Sequence, residues 1–399
     1  MLFRSRFDNP ALPTLEPWVN TTAPPATRYV LVRNPYFHRV DSAGRQLPYI
    51  DRVTINLSDE KLVPAKTGAG ESDLQARYLR FDDYTFLKQG EKRNRYKVRL
   101  WKTVKGSQIA LYPNLNAADP GWRGLLRDVR FRRALSLAIH RKEISEVIYF
   151  GLVQPSNNTV LPQSPLFDTR LRDAWTQLDH KRANALLDEI GLTKRNDQGL
   201  RLMADGRPLE IVVDTAGEST EETDVLELIR DSWRKIGVAL FTRPSQREVF
   251  RRRVFSGESI MSVWSGLSNG IPTADMSPEE LAPLKQEQLQ WPAWGNHVES
   301  KGKGGEAPAL PEVLELSSLF DAWRLADNVT ERTRIWRRML EIHAEQQYTI
   351  GTVTGNLQPV VIGGTLRNVP AEGLYNWDPG AYFGIYRPDT FWFDTGKGS

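Results

Sequence analysis

An α/β fold in two or three lobes is what the sequence predicts, and three observations predict it. The chain has 399 residues, against roughly 100–200 for an ordinary domain. Its composition is globular: 40% hydrophobic and 26% charged, with 53 Lys and Arg against 49 Asp and Glu. That is too apolar and too charge-balanced for a disordered chain. From residue 128 onward, helical spacing and strand-type segments alternate, the pattern of strand–helix–strand units.

The elements follow in order. Five prolines between Pro10 and Pro25 mark an irregular lead-in without helical period. Strands are predicted at 28–33, closed by the turn signal Asn34-Pro35, and at 52–57, where Val53, Ile55 and Leu57 alternate with polar residues. Further strands fall at 96–101 and 108–112. Phe131, Ala134, Leu135 and Ala138 share one helical face, which predicts a helix over 128–141 with Asp128 as N-cap. A helix over 179–190 stops at Gly191, and one over 222–236 stops at Gly237. Strands at 209–213, 238–242 and 259–264 surround it, with a helix near 246–255. The glycine- and lysine-rich run 300–308 reads as an exposed flexible loop. Ile335, Trp336, Met339, Leu340 and His343 form an amphipathic stripe, and short β-type segments return after Thr349.

Several functions are excluded at this stage. No apolar run approaches the roughly 20 residues of a membrane-spanning helix. The pI near 9.1 rests on only four surplus charges, a weak field that argues against nucleic acid as a partner. There is no cysteine, so disulfides, thiolate catalysis and cysteine-held metals are out. None of the five histidines stands in ligand spacing with another, so no metal site is expected, and no cofactor is assigned. The chain has no phosphate-cradling glycine loop and no nucleophile elbow. Glu221-Glu222 is not by itself glycosidase chemistry. No catalytic residue is assigned. Aromatic usage does stand out: 12 Trp in the chain, and a ring-rich stretch from Tyr375 to Phe393. It reads as an anchor for the C-terminal segment, with Tyr375 and Trp377 as candidates to line a ligand cleft.

Asp128-Val129-Arg130-Phe131-Arg132-Arg133-Ala134-Leu135-Ser136-Leu137-Ala138-Ile139-His140-Arg141 closely resembles the "DVRxRxALxxAIDR" signature of extracellular solute-binding proteins of peptide- and nickel-type ABC transporters. His140 replaces the usual Asp. Other blocks occur in the family's order. Val32–Phe37 followed by Leu47–Asp51 is similar to its "RNPxYW…PYLD" strand-turn, and Gly70–Leu74 to its "AGExDL" turn. Ala183–Gly191, Ile229–Val238 and Ile335–Gln346 are similar to three of its helices.

The resemblance implies a two-lobed periplasmic-binding-protein-like fold of type II, peptide-binder subclass. Its register places this chain as the C-terminal portion of such a protein. A first lobe that is incomplete would then occupy 1–124, lobe II 125–350, and a return to lobe I 351–399. Hinge segments would lie near 115–125 and 348–355. The implied function is the substrate-binding component of an ABC importer. It captures a small polar solute or peptide-like ligand between two lobes and delivers it to a permease in the inner membrane. The implied site is periplasmic, with the signal peptide lost along with the absent N-terminal part, and the implied state is a monomer.

Trp264-Ser265-Gly266-Leu267-Ser268-Asn269 aligns with the family's "GWxxDxxxP" ligand loop, with Pro272 as its closing proline. In peptide-binding members the acid three residues after Trp holds the peptide's amino terminus. Leu267 stands there, with Ser268 the alternative equivalent, and neither is acidic. Glu218, after the strand at 209–213, is the nearest acidic candidate for the pocket. Two other classes stay open: a hydrolase on a similar two-lobed frame, and a chaperone or holdase that binds through exposed rings.

Overall fold

The computed structural model describes residues 9–396 and divides into two compact units, 1–103 with 357–399 and 104–356. The first stretch carries β1 (Trp18–Asn20), β2 (Arg28–Arg33), β3 (Arg52–Asn56), α1 (Val63–Gly68), β4 (Leu74–Gln75), α2 (Tyr84–Asn94) and β5 (Tyr96–Lys102). The second unit opens with β6 (Ala110–Pro113), α3 (Pro120–Arg127), α4 (Val129–Leu137), α5 (Arg141–Tyr149), β7 (Gln154–Pro155), α6 (Thr169–Asp173) and α7 (His180–Glu189). It goes on through β8 (Glu210–Thr215), α8 (Thr220–Arg234), β9 (Ala239–Pro244), α9 (Arg247–Phe255) and β10 (Met261–Trp264). Then come α10 (Pro292–Glu299), α11 (Pro311–Leu325), α12 (Val329–Gln346), β11 (Ile350–Gly351) and β12 (Val353–Thr354). Back in the first unit are β13 (Leu357–Gly363), β14 (Leu366–Arg367) and β15 (Trp392–Phe393).

In the first unit, β13 lies between β4 and β5, antiparallel to both. Successive residues of a strand point to opposite faces, so Val360 and Ile362 enter one apolar cluster with Trp101, while Val361 enters another with Leu87 and Val98. A strand buried on both faces reads as a continuous apolar run, which Val360-Val361-Ile362 is. The C-terminal rings do anchor this unit. Tyr375 and Phe391 are buried around Trp101, with Tyr382, Phe383 and Tyr386 packed alongside. A separate antiparallel sheet, β1-β2-β3, ends on β3 and leaves Ile55 exposed.

The second unit is built on a five-stranded sheet in the order β11-β6-β10-β8-β9. β10, β8 and β9 are parallel; β6 runs against β10. The helical faces named from spacing cover it: Phe131, Ala134 and Leu135 of α4 and Val225, Leu226, Ile229 and Trp233 of α8 are buried in one cluster with Ile211, Val213 and Val263. A second cluster gathers Trp291, just before α10, Trp294 of α10, and Trp336 and Met339 of α12.

Three expectations shift. The strand β6 and helix α3 belong with the second unit, because β6 is hydrogen-bonded inside its sheet. The unit therefore begins at 104 rather than 125, and it runs to 356 rather than 350. The helix over 128–141 is two helices that break at Ala138–His140. Finally, the 300–308 run is the exposed loop expected, but one tied by hydrogen bonds: Gly302 N donates to the His297 carbonyl at 2.7 Å, and Glu306 N to the Ala293 carbonyl at 3.0 Å.

Candidate ligand site

In open α/β sheets, ligands bind outside the carboxyl ends of the strands. In the second unit the carboxyl ends of β8, β9 and β10 lie at one edge. Because β6 is antiparallel, with Ala110 opposite Trp264, the segment 105–109 that leads into it lies at that edge too. Three loops therefore meet the incoming chain there: Thr215–Thr220, Pro244–Arg247 and Trp264–Asn269.

Trp264 ends β10 and is half-buried. Phe250 of α9 stacks on it, with ring centroids 6.1 Å apart and planes 18° off parallel. The Arg247 guanidinium sits 5.3 Å from the ring centroid, within range of a cation–π contact. Arg247 also donates to Glu218 through Nε at 2.9 Å and through Nη2. Glu218 is thus neutralised by a bidentate partner. The acid named from sequence as the pocket's carboxylate is committed to holding Arg247 across Trp264.

The loop after Trp264 is held by its backbone. Ser265 accepts from the Tyr112 hydroxyl at 2.5 Å. Gly266 N donates to the Ser107 carbonyl, and Gly106 N to the Leu267 carbonyl, both at 2.9 Å. Leu267 N donates to Asn158 Oδ1 at 2.8 Å. A Cβ on Gly266 would meet Asn158 Oδ1 at 2.2 Å and Ser107 N at 2.5 Å, so only glycine lets the three segments approach this closely. The Leu267 side chain is buried in the second apolar cluster with Leu115 and Val160. Ser268 N donates to Glu280 Oε2 at 3.0 Å, which places a carboxylate beside this loop from a turn that sequence did not connect to it. Asn269 accepts from Ile271 N at 2.9 Å, a local turn.

The candidates of the first unit separate. Tyr375 is buried, 4.8 Å from the Tyr382 ring and 5.3 Å from Phe383, and burial pushes its phenol up. It is a packing residue. Trp377 is 65% exposed, which leaves its ring open to a ligand.

Sequence reasoning missed Lys105, Gln108 and Asn158. Gln108 Nε2 donates to Glu221 Oε2 at 3.3 Å, joining residues 113 apart in the chain. The Gln108 Oε1 atom is buried without a partner. Burial pulls the Lys105 ammonium below its ordinary pKa, while Glu221 and Glu222 act to raise it. No local spacing marks these groups; only the antiparallel entry of β6 brings them to the edge. Among the described residues, no three His, Asp or Glu side chains gather to hold a metal, and no helix is long and apolar enough to cross a membrane.

Residues 4–282 match the bacterial extracellular solute-binding proteins, family 5 Middle. The chain belongs to that family. Among curated relatives, a periplasmic alpha-galactoside-binding protein from Rhizobium meliloti is 22% identical over 392 residues, covering 92% of this chain and 54% of the relative. Among solved structures, an oligopeptide-binding protein OppA is 30% identical with a TM-score of 0.63, covering 97% of this chain and 64% of that one. The periplasmic binding protein MelB of Agrobacterium fabrum, in complex with stachyose, has a TM-score of 0.77 at 20% identity, covering 97% of this chain and 58% of that one. The family-5 chain described here thus has the α/β fold of these binding proteins and spans about half the length of its curated galactoside-binding relative.

Proposed function

We propose that this chain is the ligand-capturing part of an ABC importer's substrate-binding component, working as a monomer in the periplasm and handing an unmodified polar solute to an inner-membrane permease. The observation that carries the ligand half of this reading is Leu267. At the position where the family resemblance would place an acid in a peptide binder, its side chain is buried among apolar residues. An α-ammonium taken out of water without a paired anion there costs several kcal/mol. Glu218 offers no substitute, because Arg247 occupies both its oxygens. A ligand that does not depend on a free amino terminus fits better, and the galactoside- and stachyose-binding relatives support a carbohydrate.

One observation favours a second reading. Glu280 lies beside Ser268, and a carboxylate there is chemically able to hold an ammonium. Calorimetric titration with stachyose, a free tripeptide and its N-acetylated form separates the two. The expected result is binding of stachyose. Tight binding of the free tripeptide alone, abolished by acetylation and by Glu280→Gln, would overturn the carbohydrate reading in favour of a peptide.

A further inference from the structure

We propose that Lys105, Gln108 and Glu221 form a hydroxyl-binding subsite in the second unit, which takes neighbouring hydroxyl groups of a neutral carbohydrate. The inference rests on the carbohydrate reading above and adds the side chains and the charge state of the ligand. Three facts carry it. Lys105 is half-buried and, among the described residues, its ammonium makes no ion pair or hydrogen bond, although Glu221 and Glu222 act on it electrostatically. Gln108 must turn Nε2 towards the Glu221 carboxylate, so its Oε1 is forced the other way, and that oxygen is buried without a donor. Both residues lie at the carboxyl edge of the parallel strands, on the segment that runs beside the Trp264–Asn269 loop.

The chemistry of these groups selects the ligand. Lys105 can only donate; Gln108 Oε1 and the carboxylate can only accept. An anionic group drawn to Lys105 would be set against Glu221 and Glu222, and like charges at short range repel. A cationic group drawn to the carboxylates would face Lys105. A hydroxyl does both jobs at once, accepting from the ammonium through oxygen and donating its proton to an amide or carboxylate oxygen. Two hydroxyls on adjacent carbons use every group of the subsite with no net charge buried.

The test is calorimetric titration of the 399-residue chain with stachyose, comparing wild type with Lys105→Met, Gln108→Met and, as a control on exposed α5, Lys142→Met. Lys105→Met should weaken binding roughly 10- to 100-fold, the loss of a hydrogen bond that includes a charged group, and Gln108→Met roughly 3- to 10-fold, the loss of a neutral one, while the control is unchanged. The melting temperature of each ligand-free variant establishes that it is folded. Should Lys105→Met not fold, Gln108→Met, which removes no charge, carries the comparison. Wild-type affinity for stachyose in the folded variants would overturn the subsite and leave the carbohydrate reading intact; Gln108 Oε1 would then be satisfied by water alone. Failure of the wild-type chain to bind stachyose would overturn the reading and the subsite together. Tighter binding of trigalacturonate than of stachyose, lost in Lys105→Met, would overturn the neutral assignment.

Discussion

His343 on α12 is buried, with Nε2 donating to the Leu281 carbonyl at 2.8 Å and the ring edge-on to Trp291 and Tyr348. Burial lowers its pKa from 6.5 to about 4, so the fold holds the neutral ring. Between those two values the unfolded chain binds more protons, and stability therefore falls as pH drops from about 6.5 towards 4 and levels off below. The shift corresponds to on the order of 3 kcal/mol. Denaturant unfolding at pH 7 and pH 4.5 should show wild type losing more stability than His343→Gln; equal losses would refute the assignment. Gly266 permits a second test at this scale. Gly266→Ala pushes a methyl into Asn158 and Ser107 and should cost about 1–3 kcal/mol by overpacking, measured by the same unfolding. An unchanged midpoint would mean the three segments are loose enough to give way.

The helices show what local sequence can specify and where it stops. Leu135 on α4 is fully buried beside Ile211 and Trp233, on the face its spacing predicts. Leu135→Ala should destabilise the second unit by about 2–5 kcal/mol, read as a lower denaturant midpoint; a cost under 1 kcal/mol would contradict that packing. Periodicity named this face but not the turn between α4 and α5. The turn is tied both locally and from far along the chain: the Arg141 guanidinium donates to Ser136 O at 2.8 Å, five residues back, and to Thr176 O at 3.2 Å and Gly351 O at 3.0 Å. Arg132 likewise donates to Leu126 O and Gln346 O. Two arginines of the signature block are therefore ties between backbone segments. Strand β2 was legible to its boundaries because a β-rich run closed by Asn34-Pro35 is a local signal. The Lys105, Gln108 and Glu221 cluster was not, because strand pairing assembles it from residues more than a hundred positions apart.

At the scale of the molecule, the chain runs from one unit into the other and back, and the consequences for the two units differ. The second unit is a single uninterrupted stretch whose ends already meet: Gln108 N donates to Val353 O at 2.7 Å and Thr354 Oγ1 to Lys105 O at 3.3 Å. Its cores are closed by its own residues, with Phe131, Leu135, Val225, Trp233 and Met261 all fully buried. The first unit needs both of its pieces, because β13 from the return segment lies between β4 and β5. A fragment of residues 104–356 is therefore expected to fold alone, its size well above the lower limit for an independent core. It should give a cooperative thermal transition and a near-ultraviolet dichroism spectrum from its packed tryptophans. A fragment of 1–103 lacks the middle strand of its sheet and should show neither until 357–399 is supplied, in trans or through a short linker that replaces the second unit. A non-cooperative melt for 104–356 would mean that its stability depends on the first unit, and the division into two independently cored units would be wrong.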